Sequence, residues 1–116
     1  MVFNLNARVP QYIMESILAI DKTIKYFQAS SCLIFGRDSS GIQSEITTVN
    51  PIHPYGVAKA YADNMVREFR SVFGMYCCSG IFFNHESERR GEMFFSKKIT
   101  TAVADIVKGG KKKIKV

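Results

Sequence analysis

Long apolar runs are missing from this chain of 116 residues; none approaches the roughly 18 residues that a membrane-spanning helix needs. No basic stretch followed by an apolar core and a cleavage site opens the chain, so no secretory leader is expected. Cysteine is scarce. Cys32, Cys77 and Cys78 have no metal-ligand spacing, so no metal site is expected, and reduced thiols in a cytoplasmic protein are the simplest reading. The eight glycines build no Gly-rich turn between a first strand and a first helix, which excludes a self-contained loop for cradling phosphates. What is present is an apolar content of 47%, enough for one small globular domain and too much for a disordered chain.

The net charge of +6 is unevenly spread. Residues 1–96 carry 9 basic and 9 acidic side chains, whereas 97–116 carry seven lysines against Asp105, so the whole excess belongs to the last segment. A basic tail raises the question of a nucleic-acid partner or a small basic interaction module. No aromatic side chains are interleaved with Lys111, Lys112, Lys113 and Lys115 for base stacking, so no nucleic acid is expected and a solvated turn leading into a strand is preferred.

Periodicity gives an alternating chain. Val9, Ile13, Ile17 and Ile20 recur at helical spacing, predicting an amphipathic helix over 9–20 with Pro10 in its first turn. A strand is expected over 24–35, ended by Gly36, and then a loop rich in Ser, Thr, Gly and Pro over 36–53. A helix over 54–73, with Val57, Tyr61, Met65, Phe69 and Phe73 along one side, stops at Gly74. A buried strand over 75–83 follows, with Cys77 and Cys78 on opposite faces. A charged loop over 84–92, a helix over 93–107 with Ile99, Val103, Ile106 and Val107 on one face, and a short strand over 113–116 complete the order. Such alternation predicts an α/β fold with a parallel sheet and helices on its faces.

Within that frame, Tyr55 and Lys59 stand four residues apart and share a helix face. An ammonium beside a phenol favours the phenolate, which makes the tyrosine a usable base. Ser31 lies 24 residues upstream at the end of the strand-like run, and the stretch Asn84-His85-Glu86-Ser87-Glu88-Arg89-Arg90-Gly91-Glu92 follows downstream. Together these residues resemble the extended short-chain dehydrogenase/reductases, and the second stretch is similar to a signature of the GDP-mannose 4,6-dehydratase family.

The resemblance implies part of a Rossmann-like parallel sheet, and a central piece of a longer protein without the N-terminal dinucleotide-binding half. Residues 1–92 would be the later part of the cofactor domain, with the catalytic residues, and 93–116 the start of the substrate-binding region. It implies C4 oxidation of a nucleotide sugar, GDP-mannose being the family's substrate. Tyr55 takes the hydroxyl proton, Ser31 holds the hydroxyl and the developing ketone, and Lys59 lowers the Tyr pKa and holds the cofactor ribose. His85 and Arg90 match cofactor-contacting positions, a guanidinium fork suiting phosphate oxygens; the cofactor is expected to be NADP, with NAD as the alternative. Asn84 and Lys98 match substrate-contacting positions. Family members are homo-oligomers, so one is expected here. His53, in the loop before Tyr55, is left outside the site.

Two departures from the family pattern matter. Glu88 stands where the family has Pro. Leu33 stands where the family has the Glu that removes the C5 proton before water leaves C6. Leucine has no group that moves a proton. Glu86 and Asp38 are the substitutes within reach of the sequence. Without one, the chemistry stops at C4, as in a nucleotide-sugar dehydrogenase, reductase or epimerase.

Overall fold

A computed structural model describes residues 1–37 and 41–110, so Asp38 and the strand expected over 113–116 lie outside the described residues. The chain divides into two compact units, Met1–Phe83 and Asn84–Val116.

The first unit opens with a π-helical turn, Asn4–Arg8, that runs directly into α1, Val9–Ile20. α1 ends at Asp21, which turns extended and accepts from the Thr23 amide at 2.9 Å and the Thr23 hydroxyl at 2.7 Å. These bonds favour the carboxylate and hold Asp21 below the usual carboxylate range. Strand β1, Tyr26–Ser31, pairs in parallel with β2, Cys77–Phe82, in the register Tyr26 with Cys77 through Ser31 with Phe82. Between them runs α2, Pro54–Phe73, with proline at its start and Gly74 in the left-handed region, φ 66°, at its end. Cys77 is buried and Cys78 exposed, as strand alternation requires.

α2 packs against both strands, the π turn, α1 and the turn after β1. Met14 of α1, Val66 and Phe69 of α2, Met75 and Cys77 form one core cluster; Ile34, Phe35 and Ala60 form a second. The residues buried on α2 are chiefly small: Gly56, Ala58, Ala60 and Ala62, with Asp63, Val66 and Phe69. Of the expected stripe, Phe69 is buried, Tyr61 and Met65 are half-buried, and Val57 and Phe73 are exposed. The helix is covered from several sides, and small side chains let the covering backbones come close.

α1 departs from expectation in the same way. Ala7 of the π turn and Pro10 and Met14 of α1 are buried and Ile17 is half-buried against the core, whereas Val9, Ile13 and Ile20 are exposed. Adjacent positions on a helix differ by about 100°, and both stripes are apolar. Periodicity therefore finds the helix without choosing the face that packs.

The expected strand over 24–35 is shorter, because β1 stops at Ser31. Its side-chain oxygen accepts the Leu33 amide at 3.3 Å, and residues Cys32–Phe35 wind into a 3₁₀ turn. Local hydroxyl capping of this kind competes with the extended ladder. Gly36 then leaves the turn at φ 66°.

In the second unit, α3 spans Phe95–Val107, so it starts two residues later than the sequence predicts, with Phe94 as its N-cap. None of its residues is buried, so its apolar face of Val103, Ile106 and Val107 is uncovered among the described residues. The described residues contain no helix long and apolar enough to cross a membrane.

Two outcomes follow from the packing. A Cβ built on Gly56 lies 2.5 Å from the Leu33 carbonyl oxygen. Overpacking of that kind costs about 1–3 kcal/mol, more than the roughly 1 kcal/mol that alanine gains over glycine in a helix. Gly56→Ala should therefore lower the melting temperature; an unchanged or higher value would show that the helix can retreat from the turn. Burial also pushes the Cys77 thiol up, so a thiol reagent should modify Cys78 well before Cys77, read by peptide mass spectrometry.

Candidate functional site

The first unit brings the strand end and the helix start together. Ser31 closes β1 and caps the turn that follows; the Leu33 carbonyl of that turn abuts Gly56, the neighbour of Tyr55 in the first turn of α2. Tyr55 is 37% exposed, and one turn on, Lys59 Nζ lies over its ring, 5.6 Å from the centroid. The two side chains thus share a helix face, as the four-residue spacing predicts.

Lys59 also donates to the Ala29 carbonyl at 2.9 Å, a contact absent from the sequence reading. The direction of that carbonyl follows from the ladder. The Tyr26 amide donates to Tyr76, so Tyr26 faces β2; groups alternate along a parallel strand, and Ala29 faces the outer edge of β1. There it accepts from Gln28 Nε2 as well, at 2.9 Å, while Gln28 Oε1 takes the Tyr26 hydroxyl at 2.5 Å. Gln28 is almost wholly buried, so its amide is fixed from both ends. Burial holds the Lys59 ammonium below the ordinary lysine range.

Leu33 is 44% exposed, at the outside of the turn beside Ser31. Its neighbour Cys32 packs inward against the cluster of Ile34, Phe35 and Ala60. The two side chains diverge through a 3₁₀ turn and not through strand alternation.

The second unit holds the other predicted residues: Asn84, His85, Arg90 and Lys98. Arg90 lies with its guanidinium carbon 3.6 Å from the Phe94 ring centroid. Its Nε stands 3.2 Å from Glu86 Oε2 without being aimed at it, so the contact is charge to charge. The same Glu86 oxygen accepts the Ser96 hydroxyl at 2.6 Å. Glu86 is therefore held by two partners and is a weak candidate for the missing base. Glu88 contributes its backbone carbonyl to Lys97 Nζ at 2.8 Å, so the added carboxylate is not what pairs with Arg90. A cavity of about 400 Å³ is lined by Glu86, Ser87, Arg90, Ser96, Lys97 and Thr100. Glu88 lines it too; the sequence reading named Glu86, Ser87, Glu88 and Arg90 from the charged loop, and the helical spacing of Ser96, Lys97 and Thr100 could have extended the list. Lys98 is exposed in the first turn of α3.

The family described as GDP-mannose 4,6 dehydratase matches residues 2–116. A GDP-mannose 4,6-dehydratase of Vibrio cholerae is 46% identical over 99 residues, 84% of this chain and 27% of that protein. A GDP-mannose 4,6 dehydratase of Dictyostelium discoideum is 47% identical over 90 residues, 78% of this chain and 25% of that protein. The chain thus spans about a quarter of the length of these curated relatives. Among solved structures, a dTDP-glucose 4,6-dehydratase of Bacillus anthracis in complex with NAD matches 94% of this chain and 34% of its own, with a TM-score of 0.76 at 21% identity. A UDP-glucose 4-epimerase of Brucella ovis in complex with NAD matches 71% of this chain and 25% of its own, with a TM-score of 0.64 at 24% identity. These likenesses carry the α/β, Rossmann-like parallel fold. With residues 2–116 matched and relatives above 45% identity, the chain belongs to the GDP-mannose 4,6-dehydratase family.

Proposed function

We propose that the protein carrying this chain is a nucleotide-sugar enzyme that works at C4 of a hexose, with GDP-mannose as the substrate its relatives' names point to. The observation that carries this reading is the joint placement of Ser31, Tyr55 and Lys59, through the Leu33–Gly56 contact and the Lys59–Tyr55 approach. Tyr55 takes the proton of the C4 hydroxyl, and Lys59 stabilises the phenolate from above the ring. Ser31 donates to the oxygen as it becomes a ketone. In the dehydratase reading, water then leaves to give a 4-keto-6-deoxy sugar.

The cofactor is a nicotinamide dinucleotide, NADP by resemblance with NAD as the alternative, and it supplies the hydride acceptor when bound. The residues fit that group. Lys59 has three N–H donors and gives one to Ala29, which leaves two for ribose hydroxyls. The Arg90 guanidinium and His85 are suited to phosphate oxygens, and Asn84 and Lys98 to the nucleotide sugar. We place residues 1–92 in the cofactor domain and 93–116 in the substrate-binding region. The exposed apolar stripe of Val9, Ile13 and Ile20 supports a homo-oligomer. No nucleic acid, membrane or metal is part of this reading, and its setting is cytoplasmic.

A second reading is favoured by Leu33. With no proton-transfer group there, and with Glu86 held by Arg90 and Ser96, the reaction ends at C4, as in a 4-dehydrogenase, reductase or epimerase.

Incubation of the protein with GDP-mannose and NADP, followed by mass spectrometry of the nucleotide sugar, separates the two: loss of one water supports dehydration, and oxidation or exchange without it supports the second. In either case Tyr55→Phe should cut turnover at least about 100-fold, the usual scale for removing a positioned proton acceptor, while leaving cofactor affinity largely intact. Unchanged turnover removes Tyr55 from the mechanism.

Lys59 gives a pH-dependent outcome. A lysine whose folded pKa is lowered binds fewer protons folded than unfolded, so stability rises with pH between the two values. Thermal melts across the alkaline range should show the natural protein gaining on Lys59→Met as pH rises. A constant difference would mean that the ammonium is not desolvated.

A further inference from the structure

We infer that Gln28 is a positioning residue for Lys59: its side-chain amide, set by the Tyr26 hydroxyl, fixes where on the Ala29 carbonyl the Lys59 ammonium docks, and so holds that ammonium over the Tyr55 ring. The inference rests on the reading that Lys59 stabilises a Tyr55 phenolate.

Gln28 is 5% exposed in the middle of β1, a place where an apolar side chain is the ordinary occupant. A buried amide is costly unless its polar atoms are bonded. Chemistry permits one arrangement of those bonds. A carbonyl oxygen cannot donate, so the atom that meets Ala29 at 2.9 Å is Nε2. Oε1 then faces Tyr26, whose hydroxyl donates to it at 2.5 Å. Turning the amide over would set oxygen against oxygen at Ala29, so its orientation is unique.

The Ala29 oxygen has two lone pairs. Gln28 Nε2 takes one direction and Lys59 Nζ, at 2.9 Å, takes the other. Two donors on one oxygen do not strengthen each other; what Gln28 adds is direction. A lysine ammonium on its flexible four-carbon stem otherwise turns toward water. With one side of the carbonyl occupied, the ammonium is confined to the other, and from there it lies 5.6 Å from the Tyr55 ring centroid. Tyr26, Gln28, Ala29, Lys59 and Tyr55 thus form one chain of contacts from the start of β1 to the candidate site.

Two measurements on the protein carrying this chain test it. In the first, Lys59 is labelled with an amine-reactive reagent and followed by peptide mass spectrometry, with the exposed Lys22 as reference. Gln28→Met, of similar length and without a donor, should raise the relative rate at Lys59 severalfold. Tyr26→Phe, which releases the amide and keeps the packing, should raise it less and in the same direction, and it serves if the first variant does not fold. In the second, turnover with GDP-mannose and NADP should lose about tenfold in kcat on Gln28→Met with little change in KM, inside the roughly 100-fold that a misplacement of about 1 Å costs. The loss should vanish when Gln28→Met is added to Lys59→Met, because the two residues act through one contact. An unchanged labelling rate at Lys59, or a kcat loss as large in the Lys59→Met background as in the natural protein, would overturn the inference. The C4 reading fails separately: faster labelling of Lys59, together with turnover indifferent to Tyr55→Phe, leaves Gln28 as the guide of Lys59 and removes the mechanism.

Discussion

The close approach of the first turn of α2 to the Leu33 carbonyl is the constraint on which the site depends. Strand end and helix start come from segments more than twenty residues apart in the chain. They are held at backbone distance because Gly56 has no Cβ to keep them apart. α2 is also the element that touches every other part of the first unit. One helix therefore closes the core with Val66 and Phe69 at its later turns and presents Tyr55 and Lys59 at its start. Packing and the candidate site share a single element, so the error in placing one against the other is small.

Much of this was legible in the sequence. The limits of α2 coincide with the expected 54–73, because proline at its start and Gly74 at its end are strong local signals; α1 ends at Ile20 as expected, but helical backbone already leads into it through Asn4–Arg8. Faces were harder to read. Along the π turn and α1 two apolar stripes compete, and the side that packs carries Ala7, Pro10 and Met14. In α2 the large residues Val57 and Phe73 suggested a buried side, yet alanines and Gly56 occupy it. Hydrophobicity marks what can be buried; size decides what can approach.

The candidate site was legible in its identities and less so in its connections. The Tyr55–Lys59 spacing forecast the approach of those side chains. That Ser31 would end the strand by bonding Leu33, and so turn residues 32–35 out of the sheet, depends on a hydroxyl bond that residue type alone does not specify. The partners of Glu86 were equally hidden. A charged loop offers several pairings, and the stacking of Arg90 on Phe94 and the reach of Ser96 from α3 select one. The contact between Lys59 and Ala29 left no trace in the sequence, since its acceptor is main chain.

That last feature bears on how the site tolerates change over generations. An ammonium docked on a side chain can be cut loose by one substitution of its partner. The Ala29 carbonyl persists whatever residue stands at that position, provided the strand keeps its direction. The mooring of Lys59 is therefore inherited with the fold and not with the letter at position 29. A substitution at position 29 therefore leaves the acceptor in place as long as β1 keeps its course.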